Sequence, residues 1–245
     1  MDLTDRVALV TGSSSGIGAA VATRLADMGL RVVVNSSSSV EAGRRVAASL
    51  PDERGHYEQG DIGDPASAAA LVERAAARWG RLDVLVNNAG TTVRIPHEDL
   101  EAVTPEVWDR ILRVNVVGTW SVTVAAVPHL RAAGGGTVIN VGSLAGERPT
   151  GSSIPYAASK AALHHMTRLL AGVLGPGIRV NAVAPGLVDT PWTESWDELR
   201  SLVGTMAPLQ RTGTPDDVAE VVAGLVRSQY ITGEVVIVDG GLHLR

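Results

Sequence analysis

The sequence predicts an α/β fold: a doubly wound parallel sheet of about seven strands with helices on both faces, forming a single domain over residues 1–245. Three observations predict it. Short β-branched runs alternate with longer helical patterns from one end of the chain to the other. Several of the runs are apolar at consecutive positions, which suits strands buried on both faces. A length of 245 residues fits one such domain better than two of ordinary size.

The elements follow in order. Strands are expected at 7–10, 31–34, 56–60, 82–86, 137–141, 178–183 and 235–238. After the first, Ile17, Val21, Leu25 and Met28 recur at helical spacing, and Gly29 supplies a stop. Asp64-Pro65, Thr104-Pro105 and Thr214-Pro215 read as helix starts, each a capping residue followed by proline at the first helical position. A continuous helix is expected from Pro105 through Asn115, and another over 156–174. Two stretches break the alternation. One is the glycine- and serine-rich loop 142–155; the other, 186–212, carries Trp192 and Trp196. Both follow strands, where open α/β sheets hold their ligand crevice, so about 187–212 reads as a substrate lid.

Composition narrows the function classes. With 45% hydrophobic and 19% charged residues the chain can bury a sizeable core. Its net charge of -5 argues against a nucleic-acid binder. The absence of cysteine excludes disulfides, thiolate metal sites and a cysteine nucleophile. Residues 1–6 carry two acids and no basic start before a long apolar core, so no leader is expected. Apolar runs fall short of a bilayer span, and a soluble cytoplasmic protein with no membrane partner is expected. One oddity remains. Of the 21 basic residues other than histidine, Lys160 is the only lysine.

The first strand runs directly into Thr11-Gly12-Ser13-Ser14-Ser15-Gly16-Ile17-Gly18, and a helix follows. Glycines let the backbone turn sharply and approach a pyrophosphate, while the helix start aims unpaired N–H groups at the anion. The spacing is Gly-x-x-x-Gly-x-Gly, and its place between first strand and first helix reads as dinucleotide binding.

With that loop, four further motifs in order resemble the short-chain dehydrogenase/reductase family. Asn87-Asn88-Ala89-Gly90 follows the fourth strand, and Ser143 precedes Tyr156 by thirteen residues. Tyr156-Ala157-Ala158-Ser159-Lys160 forms Tyr-x-x-x-Lys, and Pro185-Gly186 follows the sixth strand with Thr190 four residues beyond. The match runs along essentially the whole chain and is nearest in pattern to 3-oxoacyl-(acyl-carrier-protein) reductase-like members. Gly142 departs from it, standing where many relatives carry a second serine.

Tyr156 and Lys160, four apart on a helical pattern, project from the same face. A phenol titrates near ~10, and a nearby ammonium favours the phenolate, so the pair is expected to lower the tyrosine and make it a usable acid or base. Ser143 lies in the loop before that helix, where its hydroxyl can hold a substrate carbonyl oxygen beside the tyrosine. The resemblance implies hydride transfer between a nicotinamide ring and a carbonyl carbon, in a Rossmann-type fold. Tyr156 would supply the proton, Ser143 orient the oxygen, and Lys160 bind the nicotinamide ribose while tuning the tyrosine. Asn115 would hold a water linking the lysine to solvent.

Cofactor contacts are expected at Gly12, Ser14, Ser15, Gly16, Ile17 and Gly18, and at Ser36 and Ser37 after the second strand. Others are Asp61 and Ile62, then Asn87, Ala89 and Gly90, with Tyr156 and Lys160. By family match Pro185, Gly186, Val188 and Thr190 complete the set, the last two holding the carboxamide. Asp61 reads either as a contact to the adenine amino group or as a capping acid before Asp64. The second strand ends Val34-Asn35-Ser36-Ser37-Ser38-Ser39, with no carboxylate to repel a 2′-phosphate, which favours NADP(H) over NAD(H). No metal is needed, and the adjacent His164 and His165 diverge on a helix and read as ordinary helix residues.

Trp192 and Trp196 point to an apolar or cyclic ketone or secondary alcohol, with Trp196 alternatively packing the lid. An acyl-carrier protein partner is thinly supported, since only Arg131 and Arg168 offer basic contacts near that helix. A homotetramer is expected, as in similar proteins, although the short 228–234 segment bears on that interface. Two other readings stay open at this point: a cofactor-binding regulator without chemistry, and an epimerase or lyase on the same fold.

Overall fold

Four apolar residues in succession, Val7–Val10, form the interior strand β1, buried along its whole length. In the computed structural model, which describes residues 3–245, six more strands join it: β2 (Arg31–Ser36), β3 (Gly55–Gln59), β4 (Val84–Asn87), β5 (Gly136–Val141), β6 (Ile178–Pro185) and β7 (Val235–Val238). Met1 and Asp2, part of the segment read for a leader, lie outside the described residues. All neighbouring strands pair in parallel, in the order β3-β2-β1-β4-β5-β6-β7. Val10 pairs with Val34 on one side and Val86 on the other, which fixes the register at the centre.

Among the described residues, eight α-helices connect the strands: α1 (Gly16–Asp27), α2 (Val40–Ser49), α3 (Pro65–Trp79), α4 (Pro105–Leu112), α5 (Thr119–Ala132), α6 (Ile154–Leu174), α7 (Asp197–Met206) and α8 (Pro215–Arg227). Strand side chains alternate between two cores. Ala8, Val10, Val32, Val34 and Val86 pack with α1, α2 and α8, while Val7, Leu9, Val33 and Leu85 pack with α3, α5 and α6. Each fully buried leucine or valine contributes about 1.5–3 kcal/mol, so the consecutive apolar runs hold both layers.

The proline starts are helix N-termini as expected. Asp64 accepts from Ala66 N (3.0 Å), and Thr214 with Asp217 closes a reciprocal capping box. Strand edges shift by a residue or two from expectation, and β6 runs on to Pro185. The helix expected from Pro105 onward is not uniform. After α4 the turn widens to π geometry over Arg113–Gly118 before α5 begins. The widening coincides with Asn115, whose amide bonds outside its own helix. The run 105–132 is apolar enough by composition to span a bilayer, yet it lies on the sheet with Val122, Ala126 and Leu130 fully buried.

Strand order reverses between β1 and β4, so the loops after these two strands part and leave a crevice at their carboxyl ends. The segment 187–212 lies over it. Val188 bridges to Gly213, and Asp189 accepts hydrogen bonds from Arg200 Nε (2.8 Å) and Thr212 Oγ1 (2.6 Å).

Candidate active site

The crevice begins where β1 turns into α1. Gly12 and Gly16 adopt φ of +61° and +54°, which side chains rarely tolerate. A Cβ on Gly12 would lie 2.7 Å from Ala89 Cα, and one on Gly18 would lie 2.5 Å from Asn88 Nδ2. The glycine loop therefore packs directly on the loop after β4. Two asparagines clamp it: Asn35 Oδ1 accepts from Gly12 N (3.2 Å), and Asn88 Nδ2 donates to the carbonyls of Thr11 and Gly12 (3.0 and 2.8 Å). The first turn of α1 carries no acid, and Ser15 does not cap it with its side chain. A bare cradle with aimed N–H groups fits a pyrophosphate.

At the end of β2 no carboxylate faces the crevice. The buried Ser36 Oγ shares a 2.9 Å hydrogen bond with Tyr57 OH, and Ser37 is exposed. Asp61 Oδ1 accepts from Gly63 N (2.9 Å), so this acid holds its own turn while lining the crevice.

The opposite wall is built by α6 and the loop after β5. Ser153 caps α6 by accepting from Tyr156 N (3.4 Å), which seats Tyr156 in the first helical turn. There the positive end of the helix favours a developing phenolate. The Tyr156 hydroxyl faces the Ser143 side chain across the crevice wall. Ser143 Oγ also accepts from Ala145 N (3.2 Å), starting the short turn Leu144–Gly146. Lys160 Nζ lies 5.7 Å from the Tyr156 ring centre and donates to Val141 O (2.9 Å).

Electrostatics here differ from the sequence expectation. Burial pushes the Tyr156 phenol up, with the Ser143 side chain pulling the other way. Burial also lowers Lys160 to about 8. Removing both groups from water disfavours charge on each, and this outweighs the mutual help expected of an ammonium beside a phenol.

Asn115 lies behind this pair. Its Nδ2 donates to Thr91 O and Ser159 Oγ (3.0 Å each), and its Oδ1 accepts from Thr91 N (2.8 Å). Ser143, Tyr156, Lys160, Pro185, Gly186, Val188 and Thr190 border one crevice of about 970 Å³, together with the glycine loop, Ser36, Ser37, Asp61, Ile62, Ala89 and Gly90. Asn87 does not border it. Its Nδ2 points into the layer between sheet and helices, donating to Thr123 Oγ1 and Asn140 Oδ1 (3.0 and 2.9 Å). The far end of the crevice is lined by Arg94, Leu144, Trp192 and Trp196. Trp192 meets Tyr156 edge to face at 6.4 Å, and Arg94 stacks 5.7 Å over Trp196.

Sequence reasoning missed four supporting residues: Asn35, Asn88, Ser153 and His164. His165 is exposed, as an ordinary helix residue is, but His164 is buried and bonded to Glu147 (2.8 Å). A four-residue step along α6 from Lys160 was the available signal.

Comparison with known proteins agrees with this geometry. Residues 12–243 match the family described as enoyl-(acyl carrier protein) reductase. A ketoacyl reductase named for the granaticin polyketide synthase of Streptomyces violaceoruber is 59% identical, over 97% of this chain and 96% of that one. The cis-4-hydroxycyclohexanecarboxylate dehydrogenase of Sinomonas cyclohexanicum is 38% identical over 97% and 96%. The crystal structure of a 3-ketoacyl-(acyl-carrier-protein) reductase from Brucella melitensis complexed with NADH superposes with a TM-score of 0.91, at 35% identity over 98% and 99%. The chain belongs to the short-chain dehydrogenase/reductase family. It is an oxidoreductase that works with a nicotinamide cofactor. The regulator and the epimerase or lyase readings find no support, since all three of these proteins are named for oxidoreductases.

Proposed function

We propose that the protein is an NADP(H)-dependent reductase of a ketone on a polyketide-type 3-oxoacyl chain or its cyclised form. The observation that carries the reading is the placing of the Ser143 and Tyr156 hydroxyls side by side on the crevice wall, with Lys160 5.7 Å from the tyrosine ring. Two hydroxyls side by side define one spot where a carbonyl oxygen meets both.

When bound, the nicotinamide supplies the hydride. Ser143 donates to the substrate oxygen and stabilises the charge that gathers there, while Tyr156 hands it a proton. The tyrosinate left behind faces the helix start and the Lys160 ammonium, which lower its cost. Lys160 would hold the ribose, and Val188 and Thr190 would hold the carboxamide. Asn115 Oδ1 keeps a second lone pair, the acceptor needed by a water that links Lys160 to solvent.

NADP(H) is favoured by the end of β2. There no acid opposes a 2′-phosphate, and the hydroxyls of Ser37 and Ser39 line the crevice as donors for it. Trp192 and Trp196 make a flat apolar slot for a cyclic or extended ketone, and the segment 187–212 closes over it as a lid. The acyl-carrier protein remains a weakly supported partner, because Arg168 already leans on Glu147 (3.6 Å). A homotetramer is supported by exposed apolar residues on α5 (Val117 just before it, Trp120, Val124) and on α6 (Leu169, Val173). We place this enzyme in the cytoplasm.

The test is NADPH oxidation with cyclic ketones and with a 3-oxoacyl thioester. Turnover of at least one class, with NADPH preferred to NADH, supports the reading; NADPH binding without turnover of any carbonyl overturns it.

A further inference from the structure

Helix α6 presents Tyr156, Lys160 and His164 at four-residue steps, and all three meet the short segment 141–143 that leaves β5. Tyr156 faces the Ser143 side chain, and Lys160 donates to the Val141 carbonyl. The Ser143 N–H points at His164 Nε2 at 3.5 Å. The imidazole is only 1% exposed, and its other nitrogen, Nδ1, lies 2.8 Å from Glu147 Oε1.

The donors on both sides fix the proton. A main-chain N–H can only donate, so Nε2 accepts and Nδ1 carries the hydrogen that Glu147 receives. The ring also fills space that glycines leave. A Cβ on Gly142 would run into Nε2, and one on Gly146 would lie 2.7 Å from Cε1. The departure from the family pattern at Gly142 thus has a steric counterpart in His164.

We propose that His164, held by Glu147, is a positioning residue: its neutral imidazole fixes the main chain at Gly142 and Ser143, and so sets the Ser143 hydroxyl against Tyr156. Charging the ring would put a donor against the Ser143 N–H and break the contact. The charged groups facing the ring are Glu147 from the loop, and Lys160 and Arg168 from its own helix. Burial, Lys160 and Arg168 together outweigh Glu147 and hold the imidazole below its usual value of 6.5.

This inference rests on the roles proposed above for Ser143 and Tyr156, so its test has one arm that needs no substrate. In that arm, ¹⁵N NMR of the ring nitrogens follows the six histidines of the protein as purified, with His164→Gln identifying the signal. The expected result is a neutral Nδ1–H ring at pH 7; a charged ring or the opposite tautomer at that pH overturns the proposal.

In the kinetic arm, His164→Ala should lower kcat about ten- to a hundredfold through misplacement of Ser143, with NADPH affinity unchanged. His164→Gln, whose amide oxygen accepts from Ser143 N–H without titrating, should restore most of kcat and remove the acid limb of its pH profile. A folded His164→Ala with native kcat contradicts the proposal, as does a glutamine variant that keeps the acid limb. If the alanine variant does not fold, the glutamine variant and the ring tautomer decide. A native tautomer in a protein that reduces no ketone would leave the geometry standing and remove the functional reading instead.

Discussion

Lys160 donates a 2.9 Å hydrogen bond to the carbonyl of Val141, and both residues are buried, at 4% and 6% exposure. The chain's only lysine is therefore built into the end of β5, two residues before Ser143. A compact ammonium with three donors can hold that carbonyl and still reach toward a ribose and a phenol. A planar guanidinium needs more room and a different fork of acceptors.

Lys160→Arg should accordingly lose most turnover while remaining folded, checked by kcat beside a thermal melt. Lys160→Met should gain stability near neutral pH. The folded protein holds Lys160 at about 8, against about 10.4 in the unfolded chain, so between these values the unfolded state binds more protons. Stability then rises with pH across that window, and below pH 8 the buried charge costs about 3 kcal/mol. Losing the Val141 hydrogen bond offsets roughly 1 kcal/mol of the gain. The methionine variant should melt higher than the native protein at pH 7, by an amount that shrinks toward pH 10.

Glycine substitutions should separate crowded positions from open ones. Gly12→Ala forces a Cβ to within 2.7 Å of the Ala89 backbone at a φ of +61°, and should cost about 1–3 kcal/mol and most cofactor affinity. Gly224→Ala, inside α8 with nothing within 4 Å, should instead stabilise by about 0.5–1 kcal/mol. Denaturant midpoints with and without NADPH read both effects.

Cofactor choice should turn on Ser37. An aspartate there would oppose a 2′-phosphate and accept from both ribose hydroxyls. Ser37→Asp should move the ratio of kcat/KM for NADPH over NADH toward NADH by at least tenfold; an unchanged ratio would show that the end of β2 does not set the preference.

The clasp over the crevice should govern substrate retention. Arg200 joins Asp189, Asp197 and the Thr193 carbonyl (2.8, 2.6 and 2.9 Å), tying α7 to the strand-end loop. Arg200→Ala should raise KM for the ketone several-fold while leaving NADPH affinity near native, as read by steady-state kinetics and cofactor fluorescence.

The sheet was legible because its strands are buried on both faces, so valine and leucine fall at consecutive positions and glycine or proline punctuates them. The crevice was legible wherever a motif is local, as in the loop 11–18 and the pair Tyr156 and Lys160. What escaped depends on partners distant in sequence. Asn35 clamps Gly12 across 23 residues, and His164 meets Ser143 across 21. Neither spacing carries a signal, because the contact exists only once β2 or α6 has docked. The direction of the Tyr156 shift was missed for a related reason. Charge proximity can be read from a four-residue step, whereas the depth of burial that outweighs it cannot.

The central claim is that Tyr156 gives the proton to the carbonyl oxygen. Its most direct test is single-turnover NADPH oxidation by Tyr156→Phe, with any ketone the native enzyme reduces. The phenylalanine variant should bind NADPH as the native protein does and lose about 10²- to 10⁴-fold in rate. A variant that keeps the native rate would contradict the account.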